Sequence, residues 1–283
     1  MREEARMPAV AGTFYPGDAK TLSRQVQDFL SRVPKESVPG EIIALVSPHA
    51  GYMYSGQVAA HAYKLVAGTK FDAVVVFSPS HRYHLSGGSV YASGSYETPL
   101  GSIPIEKDLC QRLMEESSLI RFIPKAHSQE HSLEVQLPFL QETIGPFRLV
   151  PIIIGDQSFQ TCEEIGQATA RVLQGKKALL VASTDLSHYH PYEEAVKLDQ
   201  IVLDHLRAFD PRKLGQDLGV GRMEACGGGP VIAAMVAAKE LGADHAQVLK
   251  YLNSGDVTGD RSGVVGYAAA VFFRTQKGLE NGR

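Results

Sequence analysis

The chain has no tryptophan, few cysteines and no marked excess of either charge. The three cysteines, Cys110, Cys162 and Cys226, are odd in number and far apart, which argues against a disulfide framework and favours a reducing cytoplasm. The net charge is −3, and lysine and arginine are dispersed along the 283 residues. Because nucleic-acid-binding domains usually show a clustered basic excess, we expect no nucleic-acid partner.

Long apolar runs are also missing. The longest, Val264–Phe273, contains Gly266 and falls short of the roughly 20 residues that a membrane-spanning helix needs. The charged segment Met1–Arg6 lacks the apolar core of a signal peptide. We therefore expect a cytoplasmic protein without membrane association.

Short apolar runs rich in valine and isoleucine alternate with helical patterns along the chain. Continuous runs of this kind are typical of strands covered on both faces, as in parallel sheets. The alternation predicts a three-layer α/β/α sandwich around a largely parallel or mixed sheet. Because no long linker interrupts it, we expect residues 1–283 to form one domain. The predicted strands are Ile42–Val46, Ala73–Phe77, Gly88–Ala92, Leu149–Ile154, Ala178–Ala182 and Val264–Phe273.

The helical patterns place apolar residues at spacings of three and four. Asp18 is the predicted N-cap of the first helix, which extends to about Val33. Tyr96–Ile105 predicts an irregular hairpin, and the polar, glycine-rich Asn253–Gly263 predicts a loop. The remaining predicted helices are Gly56–Val66, Glu106–Glu116, Ser132–Glu142, Cys162–Leu173, Glu193–Phe209 and Pro230–Leu241.

Chemically active side chains recur where these apolar runs stop or start. His49, His81 and the pair Asp185 and His188 each follow a predicted strand, and Cys226 precedes the apolar segment that opens at Pro230. Ligand sites of open α/β sheets lie beyond the carboxyl ends of parallel strands. His49, His81 and Cys226 are therefore candidates to meet around one metal ion, with Asp185 and His188 nearby for proton transfer.

Each of these residues also has an ordinary structural interpretation. In this interpretation His49 is a loop histidine bonded to a backbone carbonyl, Asp185 caps a turn, and Cys226 is an inert buried thiol. Two observations favour chemistry. A thiol near a helix N-terminus is biased toward thiolate, which is both a metal ligand and a nucleophile. An aspartate such as Asp185 can hold a histidine such as His188 in one tautomer, and the histidine can then act as a general base.

Three further residues have open roles. Arg82, beside His81, suits either an anionic substrate group or a surface ion pair. His131 and Glu134 are three residues apart at the start of a helical pattern, where they either line the pocket or cap the helix.

With these segments in view, the chain resembles the Memo family (mediator of cell motility), whose microbial branch is called AmmeMemoRadiSam system protein B. No single segment is decisive, but together, in order, they carry the resemblance. They are Pro8-Ala9-Val10-Ala11-Gly12, Phe14-Tyr15-Pro16, Pro48-His49-Ala50-Gly51-Tyr52, Tyr54-Ser55-Gly56, Ser78-Pro79-Ser80-His81, Glu130-His131-Ser132-Leu133-Glu134-Val135-Gln136-Leu137-Pro138, Ser183-Thr184-Asp185-Leu186-Ser187-His188-Tyr189, and Cys226-Gly227 with Gly229-Pro230.

That family is similar in fold to the class III extradiol ring-cleaving dioxygenases. The resemblance implies a metal pocket in which His49 and His81 are ligands and His188 is the acid/base residue. The departure is Cys226, because the dioxygenases use a carboxylate as the third ligand of iron. A thiolate changes the charge and redox properties of such a site, so ring cleavage does not follow from the fold.

Three functions follow as hypotheses. The first is a metal-dependent redox enzyme for an unknown small-molecule substrate, with iron as the expected divalent metal and copper or zinc as alternatives. The second is a binding or scaffold protein that retains the pocket, with a peptide or, as the microbial family name implies, a radical-SAM protein as partner. The third is a metal-free cysteine hydrolase with Cys226 as nucleophile and His188 as base, which leaves His49 and His81 without a role.

Overall fold

A large mixed sheet organises residues 5–275, the part of the chain that this computed structural model describes. Within that range the strands are β1 (Ala5–Arg6), β2 (Gly40–Ser47), β3 (Ala73–Pro79), β4 (Gly88–Val90), β5 (Ser95–Thr98), β6 (Gly101–Pro104), β7 (Ile120–Phe122), β8 (Leu149–Ile154), β9 (Ala178–Ser183), β10 (His188–His190), β11 (His245–Asn253) and β12 (Val264–Thr275). All six predicted strands are confirmed.

Helices cover both faces of this sheet, so the predicted α/β/α fold is confirmed. Over the same range they are α1 (Ala19–Ser31), α2 (Tyr52–Lys64), α3 (Lys107–Glu116), α4 (Pro124–Ser128), α5 (Leu137–Ile144), α6 (Phe159–Leu173), α7 (Tyr192–Ala208), α8 (Pro211–Gly219), α9 (Gly228–Glu240) and α10 (Ser254–Thr258). The helices α1, α2 and α5 pack together, as do α6, α8 and α9. None of these helices is long and apolar enough to cross a bilayer.

The strand order brings the ends of three parallel strands together in the middle of the main sheet. The main sheet runs β10-β12-β2-β9-β3-β8-β4-β7, with β11 paired to β12. The three adjacent strands β2, β9 and β3 are parallel, so their carboxyl ends meet at one edge. Their side chains are buried almost throughout, which explains their continuous apolar sequences. A separate small sheet of β1, β5 and β6 contains the predicted hairpin of residues 96–105.

Several predicted boundaries were wrong. The second helix begins at Tyr52, before Gly56, because Gly51 caps it and the Tyr52 amide donates to Phe14. The helix predicted from Ser132 begins only at Leu137, after a short 3₁₀ turn.

The C-terminal part of the sheet also departs from the prediction. The loop predicted at Asn253–Gly263 contains α10, because Asn253 and Asp256 form a capping box. Strand β11 was not predicted, since it mixes polar and apolar residues, yet it pairs with β12 from His245 to Asn253.

Candidate metal centre

The predicted metal ligands lie at adjacent strand ends. His49 follows β2, His81 follows β3, and Asp185 follows β9, which lies between those two strands. Cys226 lies just before α9, a helix packed on β9, β3 and β2. The fold therefore brings together the residues that the sequence predicted at this edge.

His49, His81 and Cys226 form a compact ligand cluster. Their nitrogen and sulfur ligand atoms all lie within 4.8 Å of one another. His49 Nε2 is 3.2 Å from Cys226 Sγ, and the rings of His49 and His81 are 5.2 Å apart between centroids. Their potential ligand atoms are thus close enough to share one ion.

The hydrogen bonds around His49 fix its tautomer. The Ser183 hydroxyl donates to the Ser132 carbonyl at 2.7 Å and accepts from Gln136 Nε2 at 2.8 Å. Gln136 Nε2 is identified as the donor because it also donates to the Pro48 carbonyl. With its proton used, Ser183 accepts from His49 Nδ1 at 2.9 Å. The lone pair on His49 Nε2 therefore faces Cys226.

His81 is held in the same way by Glu130. The Glu130 carboxylate accepts from the amide of His81 at 2.5 Å and from its Nδ1 at 2.9 Å. It also accepts from the Ser132 amide at 2.9 Å. Burial acts to raise the pKa of Glu130, but the hydrogen bonds from His81 and Ser132 outweigh burial and lower it to about 2. Glu130 is thus an anion that leaves Nε2 of His81 free for a metal.

Cys226 is held close to β9 by its glycine neighbour. A Cβ on Gly227 would lie 2.1 Å from the carbonyl oxygen of Ser183, so only glycine allows this approach. The amide of Asp185 donates to the Cys226 sulfur at 3.3 Å. Burial, followed by the charge of Asp185, raises the pKa of the thiol. Burial therefore opposes the thiolate bias that the position before a helix predicts.

Asp185 contacts His49 and not His188. Its carboxylate accepts from the His49 amide at 2.7 Å and also from the Ala50 amide. Burial raises the pKa of Asp185 to about 7, although these amides act to lower it. Within residues 5–275, no hydrogen bond joins the Asp185 carboxylate to His188, so the interpretation that Asp185 orients His188 has no support in these contacts.

His188 lies farther out, at the start of β10. Burial lowers the pKa of His188, partly offset by hydrogen bonding to the backbone of Leu186, so the ring is neutral near pH 7. The next residue, Tyr189, has a φ of 62° and a side chain that is 79% exposed. A non-glycine residue with positive φ is uncommon and often marks a functional site.

His131 joins the histidine cluster, whereas Glu134 does not. The ring of His131 is 4.7 Å from that of His81 and 5.5 Å from that of His49. Burial lowers its pKa to about 4. Glu134 is fully buried behind the site and accepts from the Ala9 and Val10 amides, so it fastens the N-terminal segment.

A cavity of about 600 Å³ opens above these residues, and we call it the strand-end cavity. His49, His81, His131 and Asp185 line its inner end, and His188 lines it as well. Its other walls include Phe14, Tyr54, Tyr189, Asp260 and Tyr267. Cys226 is not among the described residues that line it. The cavity therefore reaches the imidazoles of His49 and His81, and the Cys226 sulfur contacts His49.

The donor set fits a metal ion. Metal–nitrogen distances near 2.0–2.1 Å and a metal–sulfur distance near 2.3 Å place nitrogen and sulfur ligands roughly 3.6 Å apart in a tetrahedral site. The observed distance of 3.2 Å between His49 Nε2 and Cys226 Sγ is slightly shorter, so the two atoms would have to move apart only a little to admit the ion. Both imidazoles carry the second hydrogen bond that metal-binding histidines usually make. Three ligands leave further positions open toward the cavity.

The sequence reasoning missed the residues that hold the ligands. Glu130 and Ser183 both lie inside the segments that resemble the Memo family, but neither was given a role. The available signal was their position: Ser183 ends the strand before Asp185, and Glu130 precedes His131.

Comparisons with known proteins identify the family of this chain and support its fold. A family model described as Memo-like protein matches residues 6–271. A MEMO1 family protein from Methanothermobacter thermautotrophicus is 39% identical over 272 residues, which cover 93% of this chain and 98% of that protein. A MEMO1 family protein from Methanopyrus kandleri is 39% identical over 284 residues, with 95% and 99% covered.

One solved structure extends the comparison to the fold. The crystal structure of an uncharacterized protein from Escherichia coli K12 aligns with a TM-score of 0.57 and 17% identity. The alignment covers 81% of this chain and 99% of that one. At this identity the likeness concerns the fold alone.

Proposed function

The chain belongs to the Memo-like family, and we propose that its strand-end site is a non-heme metal centre that performs redox chemistry on a small molecule. The observation that carries this proposal is the cluster of His49, His81 and Cys226, whose ligand atoms lie within 4.8 Å beside a cavity. Iron is the expected metal, because two histidines, one anionic ligand and open positions suit non-heme iron; copper and zinc are the alternatives.

The residues around the cluster have separable tasks. Glu130 and Ser183 hold the two imidazoles with Nε2 free. A redox-active metal bound there supplies one-electron chemistry to a ligand in the cavity. His188, neutral near pH 7, accepts a proton from that ligand. Asp185, with a pKa of about 7 and a position on the cavity wall, can hold or release a proton in the same pH range.

The cysteine-hydrolase alternative has less support. The imidazole that contacts the thiol is that of His49, not His188, which the hypothesis named as base. Burial raises the pKa of Cys226, and among the described residues Cys226 does not line the cavity. The structure thus offers the thiol a different imidazole from the proposed base, and burial disfavours the thiolate that a nucleophile needs.

The test compares two variants after anaerobic loading with Fe(II). Oxygen consumption is measured with a panel of oxidisable small molecules. We expect His188→Ala to keep its iron and lose turnover, and Cys226→Ser to lose both. Iron bound by the wild type without turnover of any compound in the panel would instead favour the binding-protein alternative, with a peptide or a radical-SAM protein as partner.

A further inference from the structure

The described lining of the strand-end cavity contains acidic side chains but no lysine or arginine. Among the described residues that line it, none is lysine or arginine, while Asp185 and Asp260 are both present. Asp185 is buried at the inner end, and Asp260 is exposed at the mouth. A cavity without a fixed positive charge has no group to pair with an anionic ligand.

The arginines beside the cavity in sequence do not enter it. Arg261 follows Asp260, but its guanidinium lies 4.3 Å over the ring of Tyr192. Arg82 follows His81 and is exposed, and it does not belong to the described lining. The charge of Arg82 acts on His131 and lowers its pKa, but neither arginine side chain belongs to the described lining of the cavity.

The metal centre adds no net positive charge when it is filled. The Cys226 thiolate is one negative ligand, and the buried Glu130 carboxylate behind His81 is a second negative charge. Arg6 does not neutralise that carboxylate, because its Nη2 donates to the Glu130 backbone carbonyl and its Nη1 pairs with Glu134. Two negative charges balance a divalent cation, so the filled centre adds no net positive charge at the inner end.

The rest of the cavity is aromatic. Phe14, Tyr54, Tyr189 and Tyr267 contribute rings to its walls. At the mouth, Asp260 uses one carboxylate oxygen, Oδ1, to accept from Ser262. Its Oδ2 has no hydrogen-bond partner within residues 5–275. Aromatic rings and a free carboxylate are the groups that recognise a flat organic cation.

We propose that the strand-end cavity selects an aromatic amine, with the ring among the aromatic side chains and the ammonium group near Asp260. A neutral aromatic molecule of the same shape is the second preference, and an anionic one is the least favoured. This inference rests on the proposed function, because the metal centre closes the inner end of the same cavity.

The test uses three probes of similar shape and different charge: tyramine, 4-ethylphenol and 4-hydroxyphenylacetate. Their dissociation constants are measured by titration of the iron-loaded and the metal-free protein, and iron content is measured on the same samples. We expect tyramine to bind most tightly and at least about tenfold more tightly than 4-hydroxyphenylacetate. The same order is expected without metal, since the lining residues set it.

A matched pair of variants locates the ammonium group. Asp260→Asn is expected to weaken tyramine binding about two- to fivefold, the range for an exposed ion pair, and to leave 4-ethylphenol unchanged. Asp28→Asn changes the net charge equally on the exposed face of α1 and is expected to change neither.

The outcomes separate the two claims. Iron bound, with 4-hydroxyphenylacetate at least as tight as tyramine, overturns the ligand class and leaves the metal centre intact. Tyramine preferred in protein that never takes up iron supports the ligand class and contradicts the proposed function. Binding of none of the probes to either form overturns the ligand class.

Discussion

Glu130 offers a sharp test of how the protein holds its metal ligands. Its buried carboxylate accepts from the amide and the Nδ1 of His81 and from the amide of Ser132. These three partners are N–H donors, the Ser132 hydroxyl is a fourth partner at 2.8 Å, and a carboxylate can accept from all of them. In Glu130→Gln one oxygen becomes an NH₂ group, which must face at least one of these donors. The variant therefore loses both a hydrogen bond and the negative charge behind His81.

The size of the effect follows from those contacts. A hydrogen bond to a charged group contributes roughly 1.5–3 kcal/mol, and about 1.4 kcal/mol corresponds to a tenfold change in affinity. We therefore expect Glu130→Gln to bind Fe(II) or Zn(II) about 10- to 100-fold more weakly than the wild type. This range agrees with typical losses when a group that orients a metal ligand is removed.

Competition with a chelating dye under anaerobic conditions measures this affinity. Glu194→Gln is the matched control, because Glu194 pairs with His190 outside the ligand cluster and should leave affinity unchanged. A folded Glu130→Gln protein with wild-type affinity would refute the reasoning. Should the variant fail to fold, nitrogen NMR of the metal-free wild type tests the same contact. The hydrogen bond to Glu130 requires that His81 carries its proton on Nδ1, and a proton on Nε2 alone would refute it.

Two further predictions concern stability. Gly227→Ala places a Cβ 2.1 Å from the Ser183 carbonyl oxygen, so chemical denaturation should show a free energy of unfolding lower by about 1–3 kcal/mol. Gly219→Ala is the control, because open space surrounds Gly219, and it should lower that free energy by less than about 1 kcal/mol. Equal effects of the two substitutions would contradict the close approach at Gly227. Burial, followed by the charge of Arg6, lowers the pKa of His127 from 6.5 to about 3, so the unfolded chain binds a proton that the folded one excludes. The free energy of unfolding should therefore fall as the pH drops from 6.5 to about 3, by at most about 5 kcal/mol. Denaturation of His127→Gln over the same pH range should show a smaller fall. An equal fall in the variant would mean that other groups cause the loss of stability.

The sequence was sufficient for the part of the site that follows the strands. Runs such as Ala73–Phe77 and Ala178–Ala182 are buried on both faces, so they identify the strands and the residues just after them. His49, His81 and Asp185 were found in this way. Strand β11 escaped because its partly exposed residues mix polar and apolar types, and its place depends on pairing with β12.

The contacts between distant segments could not be predicted. Glu130 is 49 residues from His81, and Cys226 is 177 residues from His49, so no local pattern connects them. Sequence proximity suggested instead that Asp185 serves His188, three positions later, whereas the fold turns its carboxylate toward the amide of His49. The upward shift of the Cys226 pKa was not predicted for a related reason, because it comes from burial, which is a tertiary property.

The metal content of the purified protein tests the central claim most directly. The wild type, His49→Ala and Cys226→Ser are purified without oxygen, and bound metals are measured by mass spectrometry. The account predicts about one iron or copper ion per wild-type chain, as expected for a single three-ligand site, and a loss of that ion in both variants. Absence of metal from all three samples after reconstitution, or full retention in the variants, would contradict it.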